Sequence, residues 1–451
     1  MKKYFISIII SLLLITSCSI QKPIIEEKIT AEVLEPKIPI IEEFHPKEWQ
    51  EIFTDEHLQT LISAALTNNA DVRTMQLNVE QAAIQMRVAK LSYLPSFALS
   101  PSATVTKANG VSVSVSFNYE LPLTMSWELN LGGQVEAQKA ATKYQWKNTQ
   151  EQLNYTRLQL IASVANAYYT LIMLDEQLKI SEQSVQLQQE TLEAITAMKE
   201  VGMMNELAVN QAETELQATI ASVSDLRLQR EKTERVLNLL LSRTPQSVQC
   251  SNYTNVKDIN MDATSPVSLE ALAMRPDVRS AEYQLRTSFS NTKVARSQFY
   301  PSLKLTAGGS WTNNIGEIVN PAKLLLNLIG GLTQPLFQMG QIKAGFEIAK
   351  LQQEQAQIAF EQVLLQAGSE VANALSECYT ALQKLQVRES QVEASRKSME
   401  NSRELMQYSS SVTYLEVLTA QSSWLNAQLQ QTADWLELQQ GKINLYKALC
   451  R

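Results

Sequence analysis

One tetrapeptide in the 451-residue sequence specifies a covalent reaction: Ile15-Thr16-Ser17-Cys18. A branched residue, two small ones and a cysteine match a bacterial lipobox, in which the thiol is acylated and Cys18 becomes the new N-terminus. Lys2 and Lys3 followed by the apolar run Tyr4 to Ile15 complete a secretory signal over 1–17, too short to stay as a spanning helix. Each buried acyl methylene contributes about 0.8 kcal/mol, so several chains hold a mature N-terminus on a membrane. Ser19, not Asp, follows the cysteine, which is compatible with sorting to the outer membrane. Other chemistry is sparse. His45 and His57 are the only histidines, which argues against His-based triads and His-rich metal sites. Cys250, Cys378 and Cys450 are far apart and form neither a metal spacing nor a disulfide framework. The Met203-Met204 pair reads more simply as apolar packing than as a soft-metal ligand. With no nucleophile–base pairing and no phosphate loop, the chain does not read as an enzyme, and no cofactor is implied.

Removing residues 1–17, which carry two lysines and no acid, shifts the formal charge from −7 to about −9. Phosphate contacts need clustered cations, so nucleic acid is not an expected partner. Beyond the signal, no apolar run approaches the ~20 residues of a spanning helix. Any crossing of a bilayer must therefore use strands closed into a barrel.

Two matching halves position these features. Asp71-Val72-Arg73 aligns with Asp277-Val278-Arg279, Pro95-Ser96 with Pro301-Ser302, and Val164-Ala165-Asn166-Ala167 with Val371-Ala372-Asn373-Ala374. The spacing divides the chain into the signal (1–17), an extended Pro- and Glu-rich tether (18–47), a first repeat (48–242), a linker (243–266) and a second repeat (267–451). In each repeat a helix (55–92 or 267–299) ends at a proline, and a β segment follows. A very long helix comes next (134–200 or 341–408), and a third (204–242 or 412–449) returns antiparallel. Gln134 to Val201 contains no Gly or Pro, enough for one rod of about 100 Å. Helices alone would fit a lipid-anchored coiled-coil scaffold.

The β segments argue for more. Phe97, Leu99, Ala103 and Val105 alternate with Ser100, Ser102, Thr104 and Thr106. In the second repeat Leu303, Leu305, Ala307 and Trp311 alternate with Lys304, Thr306, Ser310 and Thr312. Such alternation suits strands with one face to lipid and one to a lumen. Val113 to Leu131 and Leu325 to Phe337 supply return strands, and Tyr119, Trp127 and Trp311 are candidate interfacial aromatics. Four strands cannot close a membrane barrel, since eight is the smallest, so other subunits must complete it. The fold class is mainly α with a small β-barrel portion.

Arg275-Pro276-Asp277-Val278-Arg279-Ser280-Ala281-Glu282, Phe299-Tyr300-Pro301-Ser302-Leu303 and Leu332-Thr333-Gln334-Pro335-Leu336-Phe337 with Gly340 carry a family resemblance. Trp127-Glu128-Leu129-Asn130-Leu131 before Gly133 and Tyr414-Leu415-Glu416-Val417-Leu418-Thr419-Ala420-Gln421 complete it. Across 48–450 the chain resembles the TolC-like outer membrane efflux proteins, in their lipoprotein (NodT-type) branch. The resemblance implies a homotrimer with a twelve-stranded transmembrane β-barrel and a trimeric α-barrel crossing the periplasm. It also implies a periplasmic adaptor and an inner-membrane pump as partners, with outer membrane lipid around the barrel. Gly202 and the aligned Ser410 mark the hairpin turns at the periplasmic tip, as structural turns or adaptor contacts. Members often place acids beyond the second turn, so Glu416 and Thr419, with Leu415 or Leu418 as an apolar constriction, are the candidate gate. A channel for one-step protein secretion is the nearest alternative function.

Overall fold

The computed structural model describes residues 48–108, 114–130, 132–260, 269–314, 324–333, 338–408 and 413–449. Cys18, the tether and Ser410 lie outside them.

The opening helix of each repeat, continuous by periodicity, is broken once. After a short α1 (Trp49–Ile52), α2 (Glu56–Asn68) gives way to α3 (Ala70–Leu91). Asn69 stands between them in an extended conformation, and its side-chain oxygen accepts from the amides of Asp71 and Val72 at 2.9 and 3.2 Å. One residue thus ends a helix and caps the next. In the second repeat α6 (Leu269–Met274) and α7 (Pro276–Ser297) are separated by Arg275. The following proline keeps Arg275 extended and starts α7 at its first turn.

The strands β1 (Ser96–Leu99), β2 (Ser102–Ala108), β3 (Ser114–Asn130), β4 (Ser302–Asn314) and β5 (Leu324–Thr333) form one antiparallel sheet. The segment expected as a single strand at 97–106 is two, because Pro101 lacks an amide donor. Ser96 pairs with Ser126 and Ser102 with Glu120, so β1 and β2 keep one register along β3. Sequence order and pairing then give four rows: β1/β2, β3, β4, β5. Both outer rows, β1/β2 and β5, have one side unpaired among the described residues.

Gly133 (φ +72°) and the equivalent Gly340 (φ +79°) turn the sheet into the long helices. These are α4 (Gln134–Glu200, 67 residues) and α8 (Gln341–Tyr408, 68 residues), each about 100 Å long at 1.5 Å per residue. The returning helices α5 (Glu206–Leu240) and α9 (Tyr414–Leu449) pack along them. The main core lies midway down the rods, where α1, α2, α4, α5, α9 and the linker meet around Phe53, Tyr168, Tyr169 and Tyr446. Trp435 is held edge-on by Tyr169 and Tyr253, at centroid distances of 5.9 and 4.9 Å.

Candidate functional site

The features that bear on function lie on separate surfaces and not at one centre. The first is the sheet. Register places Phe97, Met125, Ala307 and Leu328 in one cross-strand row, and Leu99 with Leu123 in the next. That face also carries Leu121, Trp127, Leu303, Leu305 and Leu332. The other face carries Ser96, Ser102, Thr104, Thr124, Ser126, Glu128, Lys304 and Thr306. Phe97, Leu99 and Leu328 are largely exposed. The alternation expected from the sequence is thus held in register across all four rows, giving one apolar and one polar face. Trp127 stands at the helix end of the apolar face. The side chains of Tyr119 and Trp311 fall outside the described residues.

The second surface is the tip. The α4–α5 turn is a Schellman closure: Met203 N–H donates to Met198 O, and Gly202 N–H to Lys199 O, both at 2.9 Å. Gly202 adopts φ +79°, the left-handed conformation expected of it, at no steric cost for glycine. Lys199 and Glu206 pair across the turn. At the second turn Thr413 precedes α9, and its amide and hydroxyl donate to Glu416 Oε2 at 2.7 and 3.1 Å. This is the side-chain half of a capping box. Leu415, Glu416 and Thr419 are exposed, whereas Leu418 is buried against Ile195, Ala208 and Ala212. Of the two leucines considered for a constriction, Leu415 is the one that faces outward at 54% exposure. Met204 packs on the same small cluster. Among the described residues no group of three or more His, Cys, Asp or Glu could hold a metal.

Between α4 and α9 the tip half of the seam is polar. Gln421 Nε2 donates to Thr191 Oγ1 at 2.8 Å, and Gln177 reaches Thr432 and the Leu429 carbonyl. Ser181, Gln188 and Trp424 bury polar atoms that find no partner among the described residues. Arg403 on α8 pairs with Glu190 on α4 at 2.8 Å.

Sequence reasoning missed the polar groups that brace the middle of the rods. Asp55 caps α2 by accepting from the amides of His57 and Leu58. It also accepts from Tyr168 Oη at 2.8 Å and Ser251 Oγ at 2.7 Å. Burial pushes the Asp55 carboxyl up, but hydrogen bonds from Ser251, the helix amides and Tyr168 outweigh it and hold the pKa below the ordinary value. Arg275 is 4% exposed and bonds Asp277 at 2.7 Å, Glu370 at 2.6 Å, and the carbonyls of Ala367 and Ala448. Lys442 on α9 meets Asp258 of the linker at 2.5 Å. Burial pushes the thiols of Cys250 and Cys378 up to about 12 and about 11, so neither is poised as a nucleophile at neutral pH.

The third surface is bare helix. Shifting α4 by 207 residues onto α8 matches Glu151 with Ile358, Leu158 with Leu365 and Ile180 with Val387. In α4 these positions are 5%, 3% and 8% exposed; in α8 they are 60%, 49% and 70%. The second repeat shows an apolar face where the first is covered.

The model of the outer membrane efflux protein family matches residues 61–243 and 267–451. The cation efflux system protein CusC of Escherichia coli K12 is 27% identical over 406 residues, covering 89% of this chain and 88% of that protein. The probable outer membrane lipoprotein SilC of Salmonella typhimurium is 26% identical over 415 residues, covering 91% and 89%. TtgC, a probable efflux pump outer membrane protein of Pseudomonas putida, is 25% identical over 418 residues, covering 89% and 84%. Crystal structures of CusC superpose with a TM-score of 0.84 at 25% identity, over 92% of this chain and 98% of that one. The outer-membrane channel OprN gives 0.83 at 25% identity over 94% and 95%. With helical hairpins and an amphipathic sheet in that arrangement, the chain belongs to the outer membrane efflux protein family and is a protein of the outer membrane.

Proposed function

We propose that three copies of this chain close into a passive, gated duct that carries small molecules from the periplasm to the exterior. The observation that carries the reading is the sheet, with one apolar face, one polar face and, among the described residues, two outer rows each unpaired on one side. In lipid, unpaired strand edges cost several kcal/mol per group, so such a sheet must be closed by others like it. Four rows from each of three copies make a twelve-stranded barrel, within the even-numbered range of outer-membrane barrels. Cys18 anchors each N-terminus through its acyl chains. The polar face lines the exit, and the paired rods continue it as an α-helical tunnel. The relatives are named as efflux proteins and channels, which supports a conduit with no reaction of its own. Energy comes from an inner-membrane pump reached through a periplasmic adaptor, which meets the tip near Gly202.

Names among the relatives favour efflux over protein secretion, since they specify cations, antibiotics and toluene. Such different cargo suits a duct that takes whatever its pump delivers. The gate lies at the tip, where Leu415, Glu416 and Thr419 project from the start of α9. Three Glu416 carboxylates around one axis would attract cations and repel one another. The polar α4–α9 seam beside them opens at lower cost than an apolar one, because water replaces its hydrogen bonds. Single-channel recording tests this: Glu416→Ala should raise passive conductance and weaken cation preference. Unchanged conductance and selectivity would remove Glu416 from the gate.

A further inference from the structure

Just beneath the sheet the charge of the chain reverses. The whole sequence carries −7, yet segments 84–93, 127–150, 283–305 and 338–353, which flank the strand–helix junctions, hold eleven Lys and Arg against three Glu. Aromatic rings stand among them. Trp127, on the apolar face of β3, donates its indole N–H to the Tyr93 carbonyl at 3.0 Å. Lys139 Nζ sits 5.3 Å from the centroid of that Tyr93 ring. The first lysine of α4 is therefore on the side of the apolar strand residues, and Lys143 follows one turn further on.

The second repeat builds its junction from different residues to the same effect. Phe299 meets Phe346 edge-on at 5.7 Å, and Lys350, aligned with Lys143, lies 4.7 Å from the Phe346 centroid. Lys343 stands two residues into α8. Two of the three acids are engaged, Glu136 accepting from Tyr93 Oη at 3.3 Å and Glu347 lying 3.8 Å from Lys343, and Glu128 belongs to the polar face of β3, in register with Lys304. At 1.5 Å per residue, all four lysines fall within about 15 Å of the helix starts. Their stems can run along the rings while the ammonium groups reach headgroup level.

We propose that Lys139, Lys143, Lys343 and Lys350, with Tyr93, Trp127 and Phe346, form a collar that binds the phosphates of anionic phospholipid in the periplasmic leaflet of the outer membrane. The collar rests on reading the sheet as membrane-embedded. Its apolar face supplies continuity with the lipid tails, and its cations complement the headgroups. Because both repeats contribute, a closed assembly would carry the cations around its whole girth.

The test uses the full-length acylated protein in nonionic detergent, titrated with phosphatidylglycerol or with phosphatidylcholine of the same chain length. Native mass spectrometry counts retained lipid. Phosphatidylglycerol should be retained selectively, less so as salt rises, and about fivefold more weakly for each lysine changed in the series ending at K139Q/K143Q/K343Q/K350Q. The corresponding Lys→Arg protein should keep the selectivity. Equal retention of the two lipids by the unaltered protein overturns the proposal, as does unchanged selectivity in the glutamine series. If the quadruple variant fails to fold, the two-lipid comparison and its salt dependence still decide. Conductance in phosphatidylcholine bilayers separates the two readings. Currents without lipid selectivity sink the collar alone, whereas no current in any lipid sinks the channel beneath it.

Discussion

The two repeats share their elements, but a single chain covers a different part of each: the rod of the first and the opening helix of the second. In the second, α7 is seated between two rods, touching α8 on one side and α4 on the other. Ser280 Oγ donates to Asn148 Oδ1 at 2.6 Å, Tyr283 stacks on Tyr144, and Thr292 Oγ1 donates to the Ala349 carbonyl at 3.1 Å. In the first repeat, α3 packs on α4 and makes no comparable contact with α8. Its outer stripe, Leu77, Ile84, Val88 and Leu91, is exposed. The aligned stripe of α7 is Tyr283, Ser290, Val294 and Ser297, and these residues are covered or half-covered by α4. In the trimer proposed above, the bare face of α8 would do for α3 of another copy what α4 does for α7 inside the chain. The sheet follows the same plan: β3 pairs with β4 within the chain, and in the proposed trimer β5 would pair with the β1/β2 row of a neighbour.

The largest effect should come from charging the bare face. Leu351→Asp with Ile358→Asp puts two charges where about 1.5–3 kcal/mol of burial per side chain is expected, three times over in a trimer. The chain should keep its helicity and run as a monomer by light scattering. Leu158→Asp, at the covered position aligned with Leu365, should instead prevent folding. A trimer that survives the double change would break the comparison.

Next is the pair of residues that start the second helices. Arg275 and Asn69 align, yet one holds two carboxylates and two carbonyls while the other caps a helix and donates to the Leu240 carbonyl. Arg275→Ala should cost about 2–3 kcal/mol, below the figure for a fully buried pair because Glu370 remains half-exposed. Asn69→Ala should cost about 1 kcal/mol. Apparent melting temperatures in detergent give the order, and equal losses would mean that Arg275 is not the stronger clamp.

Asp55 is predicted to give the smallest effect, and it depends on pH. Its folded pKa is lowered, so its contribution is fully present above the unfolded value near 3.9. That contribution is lost as pH falls through the folded pKa. Asp55→Asn, which keeps a capping oxygen, should flatten the acid side of the stability profile and leave its shape at neutral pH unchanged. A wild-type profile already flat between pH 5 and 3 would contradict the assignment.

The duplication, the rods and the parity of the strands were legible in the sequence because each is a local pattern repeated at long range. The long helices match their expected bounds within a residue, since nothing in Gln134 to Glu200 interrupts the ladder. Three features were not legible. The break at Asn69 depends on one side chain capping in place of a turn signal. The Asp55–Tyr168–Ser251 network joins residues 113 and 196 positions apart, with no local signature. The capping box at Thr413-x-x-Glu416 is a local motif, but nothing local separates a capping role for Glu416 from a pore-lining one. Both roles fit one residue, because the Glu416 oxygen that caps α9 still sits at the exposed tip.

One measurement bears most directly on the claim that copies complete each other. Transferring the β3–β4 register to the open edges places Ile329 of β5 opposite Thr104 of a neighbour's β2, both on the polar face. Cysteines at Thr104 and Ile329, oxidised in isolated outer membranes, should give dimer and trimer bands on non-reducing gels. Each single substitution should give none. A species that stays monomeric under oxidation, with both thiols still alkylatable, would contradict the account.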